Sequence, residues 1–155
     1  MKIKIAWIGK TKEPAIASLT DEYLKRISRF VPVEGIQLRD EEALMPLCKR
    51  GVSGKHGRSA TGERSTLVLL DSSGKQLSSE ELAKFLSDYQ ERNPLTVVFA
   101  VGAANGFSAE SKAAAQFTLS LGKMTLAHEL ARVVLLEQLY RAFTILKGHP
   151  YHLEH

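Results

Sequence analysis

Two short runs without a single polar residue, Leu67-Val68-Leu69-Leu70 and Val97-Val98-Phe99-Ala100-Val101, do most to restrict what this chain can fold into. Successive side chains of a strand point to opposite faces, so a strand that is apolar at every position must be covered on both. Both runs are too short for helices, and both end in turn formers: Asp71-Ser72-Ser73-Gly74 after the first, Gly102-Ala103-Ala104-Asn105-Gly106 after the second. Buried parallel strands over 65–70 and 95–101 follow, with helices above and below.

The remaining segments supply those helices. Residues 2–8 alternate polar and apolar and then meet Gly9, the pattern of a strand ending in a turn. Pro14 opens a helix that carries Ile16, Leu19, Tyr23, Leu24, Ile27 and Phe30 on one side. A strand over 33–38 and a short helix over 41–49, with Pro46 inside it, come next. Ser78 and Glu81 form a capping box for a helix reaching about residue 90, and Ser108 can cap another over 109–117. A short strand over 118–121 precedes a last helix over 127–147, which Gly148 and Pro150 end. The expected fold is α/β, a mostly parallel sheet with helices on both faces. At 155 residues, one domain is expected.

Composition narrows the setting. Cys48 is the only cysteine, which excludes an internal disulfide, and the longest apolar stretch, 95–104, is half of the ~20 residues that cross a bilayer. A cytoplasmic protein without a membrane role is expected. The net charge of +4 is uneven: residues 1–64 carry 13 Lys and Arg against 8 Asp and Glu, and residues 65–155 carry 8 against 9. The first half is thus either ordinary solvated surface or a footprint for a polyanion. The glycine-rich run at 51–63, with Lys55, His56 and Arg58, is expected to be a basic loop, since it lacks the spacing of a phosphate-binding P-loop.

Ligands of open α/β sheets bind outside the carboxyl ends of the strands. Three such ends are candidates: Leu70-Asp71, 102–106 and 121–126. No Gly-x-Gly-x-x-Gly follows any of them, so a nicotinamide cofactor is disfavoured. The last helix is apolar nearly all round, which points to packing against a second copy with Leu135 and Leu139 in the seam. Glu137 and Arg141, four apart in the favourable order, suit a helix ion pair. His149, Tyr151 and His152 gather in a short tail without metal-ligand spacing, and His128 at the helix start is more often a cap than a base.

The segment from Leu119 to His152, LSLGKMTLAHELARVVLLEQLYRAFTILKGHPYH, closely resembles the end of the ribosomal RNA large subunit methyltransferase H family, bacterial enzymes of the SPOUT class. Gly9-Lys10-Thr11-Lys12, Glu22-Tyr23-Leu24-Lys25-Arg26 and Leu70-Asp71-Ser72-Ser73-Gly74-Lys75 are similar to further blocks of that family. The resemblance implies a C-terminal trefoil knot, S-adenosylmethionine as methyl donor, a homodimer, and N3 of a pseudouridine in 23S ribosomal RNA as the acceptor. It implies that Leu70, Gly102 and the loop of Leu121, Gly122, Lys123, Met124, Thr125 and Leu126 hold the cofactor. Arg141, Tyr151 and His152 are the implied catalytic residues, with Arg132 and His128 behind them. Residues 1–152 would form the methyltransferase domain, and 153–155 look like the start of an expression tag. Three positions depart from the family: Ala103 replaces a glycine, Gly122 a serine and Ala127 a proline. Two other readings stay open: a SPOUT enzyme for another RNA position, and a knotted RNA-binding dimer that transfers no methyl group.

Overall fold

The second apolar run becomes the middle of the sheet. In the computed structural model, which describes residues 1–48, 65–92 and 95–153, five strands pair in the order β2-β1-β4-β3-β5, and every pairing is parallel. The strands are β1 (Ile3–Ile8), β2 (Val33–Leu38), β3 (Thr66–Gln76), β4 (Val97–Val101) and β5 (Phe117–Ser120). The helices are α1 (Pro14–Ile27), α2 (Leu44–Cys48), α3 (Ser79–Arg92), α4 (Ala109–Ala114) and α5 (His128–Leu146). The basic run at 51–63 lies outside the described residues, among which no helix is long and apolar enough to cross a membrane.

Two apolar layers cover β4 as its sequence demands. Val97, Phe99 and Val101 pack with Ile27 of α1, Leu82 and Leu86 of α3, and Leu135, Leu136 and Leu139 of α5. Val98 and Ala100 face the other way, onto Leu44 and Cys48 of α2 and onto Phe107. The capping box forms as expected: Ser78 Oγ accepts from the Glu81 N–H at 3.0 Å, and Glu81 accepts from the Ser78 N–H at 3.1 Å.

Several boundaries differ from expectation, each for a local reason. The 41–49 helix divides into a 3-10 turn at Glu41–Ala43 and α2, with Pro46 in the first turn of α2, where its missing N–H breaks no helical bond. α4 stops at Ala114 because Gln116 pairs with Leu67, accepting from its N–H at 2.7 Å and donating its own N–H to its carbonyl at 3.0 Å. Phe117 can then open β5 and set its ring 4.9 Å from Phe85. β3 runs past the expected turn to Gln76; Leu119 of β5 pairs with both Leu70 and Lys75, and residues 71–74 bulge out between them. Lys4, expected on a polar face, is 3% exposed because β1 is an inner strand, and its ammonium lies 3.8 Å from Glu34.

The largest correction concerns α5. Leu135 and Leu139 are fully buried within one chain, because α1 and α3 flank α5 on either side while the sheet lies beneath it. Its all-round apolarity is therefore satisfied mostly by its own domain. A charge at either position would report on folding, not on a seam between copies.

Cys48 offers a simple check of the α2 layer. Burial pushes its thiol pKa up to about 11, with Lys4 opposing the shift. At pH 8 only about one such thiol in a thousand is thiolate, the reactive form. Alkylation by iodoacetamide should be very slow in the native protein and rapid in denaturant; fast native labelling would show that α2 does not cover this face.

Candidate functional site

The bulge within β3 and the loops that follow β4 and β5 at their carboxyl ends enclose a cavity of about 480 Å³. Leu70 and residues 71–73 of the bulge form one wall, residues 102–107 a second, and residues 121–126 most of a third. His128 and Ala131, on the first turns of α5, complete it. Of the residues implied to hold a cofactor, Leu70, Gly102, Leu121, Gly122, Met124, Thr125 and Leu126 line the cavity, whereas Lys123 points elsewhere and is exposed.

Local chemistry fixes each wall. At Gly102 a Cβ would lie 3.1 Å from the Phe107 ring and 3.3 Å from the Gly106 carbonyl carbon, so the missing side chain lets the 102–107 loop fold back tightly. Glu41 pins that loop, accepting from the N–H and hydroxyl of Ser108 at 2.8 and 2.6 Å; those bonds, the hydroxyl's first, hold its carboxyl below the ordinary range. The 121–126 loop begins with Gly122 at φ +134, a backbone state that strains any other residue. Ser120 closes this turn, its hydroxyl donating to the Gly122 carbonyl at 3.0 Å and accepting from the Gly122 N–H at 3.2 Å. Glycine at 122 suits this backbone state. Ala103 also lines the cavity, and Ala127 precedes α5 without any side-chain cap.

Asp71 belongs to the first candidate strand end, whereas no sequence signal marks Lys112. Both border the cavity, 3.2 Å apart. The Ser73 hydroxyl, then its N–H, hold the Asp71 carboxyl below its usual range, so this wall carries an ionised acid. A second cavity of about 310 Å³ adjoins the first through Leu121 and Gly122 and is bordered by Gln76, Ser78 and Gln138.

Arg141, Tyr151 and His152 do come together, at the far end of α5. Glu137 Oε1 accepts from Arg141 Nε and Nη2 at 3.0 and 2.6 Å and from the Tyr151 hydroxyl at 3.0 Å. Arg141 Nη1 donates to His152 Nδ1 at 3.1 Å. That bond assigns the proton to Nε2, which donates to Glu80 Oε1 at 2.8 Å. The guanidinium also lies 4.9 Å from the centre of the Tyr151 ring. Burial first, and then the bond to Glu137, raise the Tyr151 pKa, so the phenol keeps its proton at neutral pH. The Glu137–Arg141 ion pair read from sequence is thus the hub of a five-residue cluster. None of these residues touches the large cavity. Arg141 lies thirteen residues beyond His128 on one helix, about 20 Å away at a rise of roughly 1.5 Å per residue.

Known proteins place this architecture. A family model described as "Predicted SPOUT methyltransferase" matches residues 1–152. A Ribosomal RNA large subunit methyltransferase H of Koribacter versatilis (strain Ellin345) is 53% identical over 155 residues, covering 100% of both chains. Its counterpart from Geotalea daltonii is 41% identical over 152 residues, covering 98% of this chain and 99% of that one. Among solved structures, a probable methylase family protein of Haemophilus influenzae Rd KW20 aligns with a TM-score of 0.58 at 13% identity, over 96% of this chain and 69% of that one. A SpoU methyltransferase of Streptomyces viridochromogenes in complex with its cofactor AdoMet aligns at 0.51 and 12% identity, over 90% of this chain and 57% of that one.

Proposed function

The chain belongs to the SPOUT methyltransferase family, and on that premise we propose that it transfers the methyl group of S-adenosylmethionine to N3 of a pseudouridine in 23S ribosomal RNA of the large subunit, working as a cytoplasmic homodimer. One observation carries the reading: the β3 bulge and the loops after β4 and β5 enclose one cavity, bounded by seven of the residues that the family resemblance assigns to the cofactor. Residues 1–152, the span of the family match, make up the working domain.

The cavity suits the cofactor on its own chemistry. Its volume falls in the range of about 300–1,000 Å³ typical of small-molecule sites. Leu70, Leu126 and Ala131 give an apolar slot for a purine, the peptide groups of 102–106 and 121–126 offer donors and acceptors beside it, and Asp71 supplies a carboxylate for sugar hydroxyls. When bound, S-adenosylmethionine supplies an activated methyl and its leaving group. The protein must bring N3 of the base in line with that methyl and favour loss of the N3 proton.

Arg141, Tyr151 and His152 fit that task as orienting groups. The Arg141 cation favours the deprotonated, anionic form of a nearby base. His152 has both ring nitrogens engaged, and Tyr151 holds its proton, so neither is a free base while the cluster stands. Arg141 lies ten residues, about 15 Å of helix, beyond Ala131, the last cavity residue on α5, and in this reading the tail of one protomer completes the cavity of its partner. This reading calls for a dimer, and Leu19 and Leu130, both more than two-fifths exposed, offer apolar surface on α1 and α5 that supports it.

Mass mapping of ribosomal RNA from cells with and without the gene tests this function. A single methyl should vanish from one pseudouridine in 23S RNA. Loss from a ribose, or no loss at all, would overturn the assignment, and calorimetry with S-adenosylmethionine separates an enzyme from an RNA-binding dimer that takes up no cofactor.

A further inference from the structure

The first turns of α5 have two working faces. His128 and Ala131 border the cofactor cavity, while Glu129 and Arg132, each one residue further on, hold the loop after β1. Glu129 Oε1 accepts from the Lys12 N–H at 2.6 Å and the Glu13 N–H at 3.5 Å. Arg132 Nη1 donates to Thr11 Oγ1 at 2.8 Å and reaches Thr20 Oγ1 at 3.5 Å.

Arg132 is 2% exposed, its guanidinium stacks 4.2 Å above the Trp7 ring, and its Nε has no partner. It takes part in no ion pair among the described residues. A buried cation kept without a carboxylate bonded to it is costly, so its retention needs a reason beyond stability. What it does here is fix a loop. Lys10 and Lys12, on either side of the anchored Thr11, are exposed, and neither belongs to an ion pair among the described residues. Glu129 is occupied by peptide groups, which leaves Glu13 as the exposed acid of this loop.

We propose that residues 9–13 form a contact for the phosphodiester backbone of the RNA substrate, with Lys10 and Lys12 as the phosphate ligands, and that Glu129 and Arg132 are positioning residues which hold this contact in register with the cofactor cavity. Phosphate contacts carry no sequence information, yet they set where a nucleic acid lies on a protein. A contact built on the helix turn that borders the methyl donor's cavity fixes that placement to the reacting end of the site. The arginine suits the task because its planar fork can stack on Trp7 and bond Thr11 together, which a lysine cannot do.

This inference rests on the methyltransferase reading, but its test does not require turnover. Binding of large-subunit ribosomal RNA is measured against salt for the wild type and for Lys10→Gln/Lys12→Gln, beside S-adenosylmethionine affinity by calorimetry. The double variant should lower the slope of log K against log salt by about 1.4 to 1.8, some 0.7 to 0.9 per lost phosphate contact, with cofactor affinity within twofold of wild type. In turnover the loss should fall on the KM for RNA more than on kcat. Glu129→Ala should raise that KM, whereas Glu129→Gln, which keeps an oxygen facing the Lys12 N–H, should restore it; Arg132→Lys should not rescue Arg132→Met. An unchanged salt slope in the double variant, a parallel loss of cofactor affinity, or a change to monomer by light scattering that accounts for the effect would overturn the proposal. A wild type that binds RNA with the expected slope but transfers no methyl group would instead sink the methyltransferase reading and leave the phosphate contact standing.

Discussion

A folded Gly102→Val protein should lose S-adenosylmethionine binding by roughly 30- to 150-fold, the equivalent of about 2 to 3 kcal/mol of overpacking. Even one added carbon meets Phe107 at 3.1 Å, and the two further methyls of valine must enter either that ring or the cavity. Phe107 is 7% exposed and packed among Ala6, Leu38 and Ala100, so it cannot move far and the cavity takes the intrusion. Gly102→Ala should show the same effect in smaller measure, since a shift of a few tenths of an ångström accommodates one methyl. Calorimetry gives the affinity and circular dichroism the fold. Wild-type affinity in a folded Gly102→Val protein would remove the cavity from consideration as the cofactor site.

Mixing two inactive proteins should restore activity. If the tail of one protomer serves the cavity of the other, Gly102→Val keeps a good tail and His152→Ala keeps a good cavity, and a mixed dimer contains one complete pair. Alone, His152→Ala should lose about 10²-fold or more in turnover with little change in cofactor affinity, the order expected when a reacting base is misplaced by about 1 Å. Tyr151→Phe removes one bond to Glu137 and keeps the ring against Tyr140, so it should cost less. Ending the chain after Gly148 should abolish turnover as His152→Ala does. If co-refolded mixtures show no more than the sum of the separate activities, the cavity and the tail do not meet across a dimer.

How much of this was legible in the sequence depends on the range of the interaction that decides it. Caps and short strands are local, so Ser78 with Glu81, Ser108, and the 33–38 strand are found where expected. The cavity was legible at one remove, because strand ends in a parallel sheet must face the same way whatever their order. Strand order itself was not, since it depends on pairing between β1 and β4, ninety-odd residues apart. Nor was the burial of α5: an apolar surface has the same pattern whether α1 and α3 or a second copy covers it. Asp71 shows a further limit. Its turn was visible, but that the bulge forms a cavity wall follows from Leu119 pairing twice, which no local pattern records. Arg141, Tyr151 and His152 were assembled only through the family resemblance, and the contact of Arg132 with Trp7 and Thr11 could not be read without the fold.

The strand order also bears on how the chain reaches its native state. β1 with β2, and β3 with β4 and β5, are each paired over modest separations and can assemble early, whereas the β1–β4 ladder joins segments far apart and must wait for loop closure. α5 then lies across the junction, against α1 from the first unit and α3 from the second. On a growing chain this helix leaves the ribosome only after all five strands have done so. Until it does, the two halves are joined by the β1–β4 ladder and the α2 layer on the other face of the sheet, and the apolar surface that α5 covers stays open to solvent.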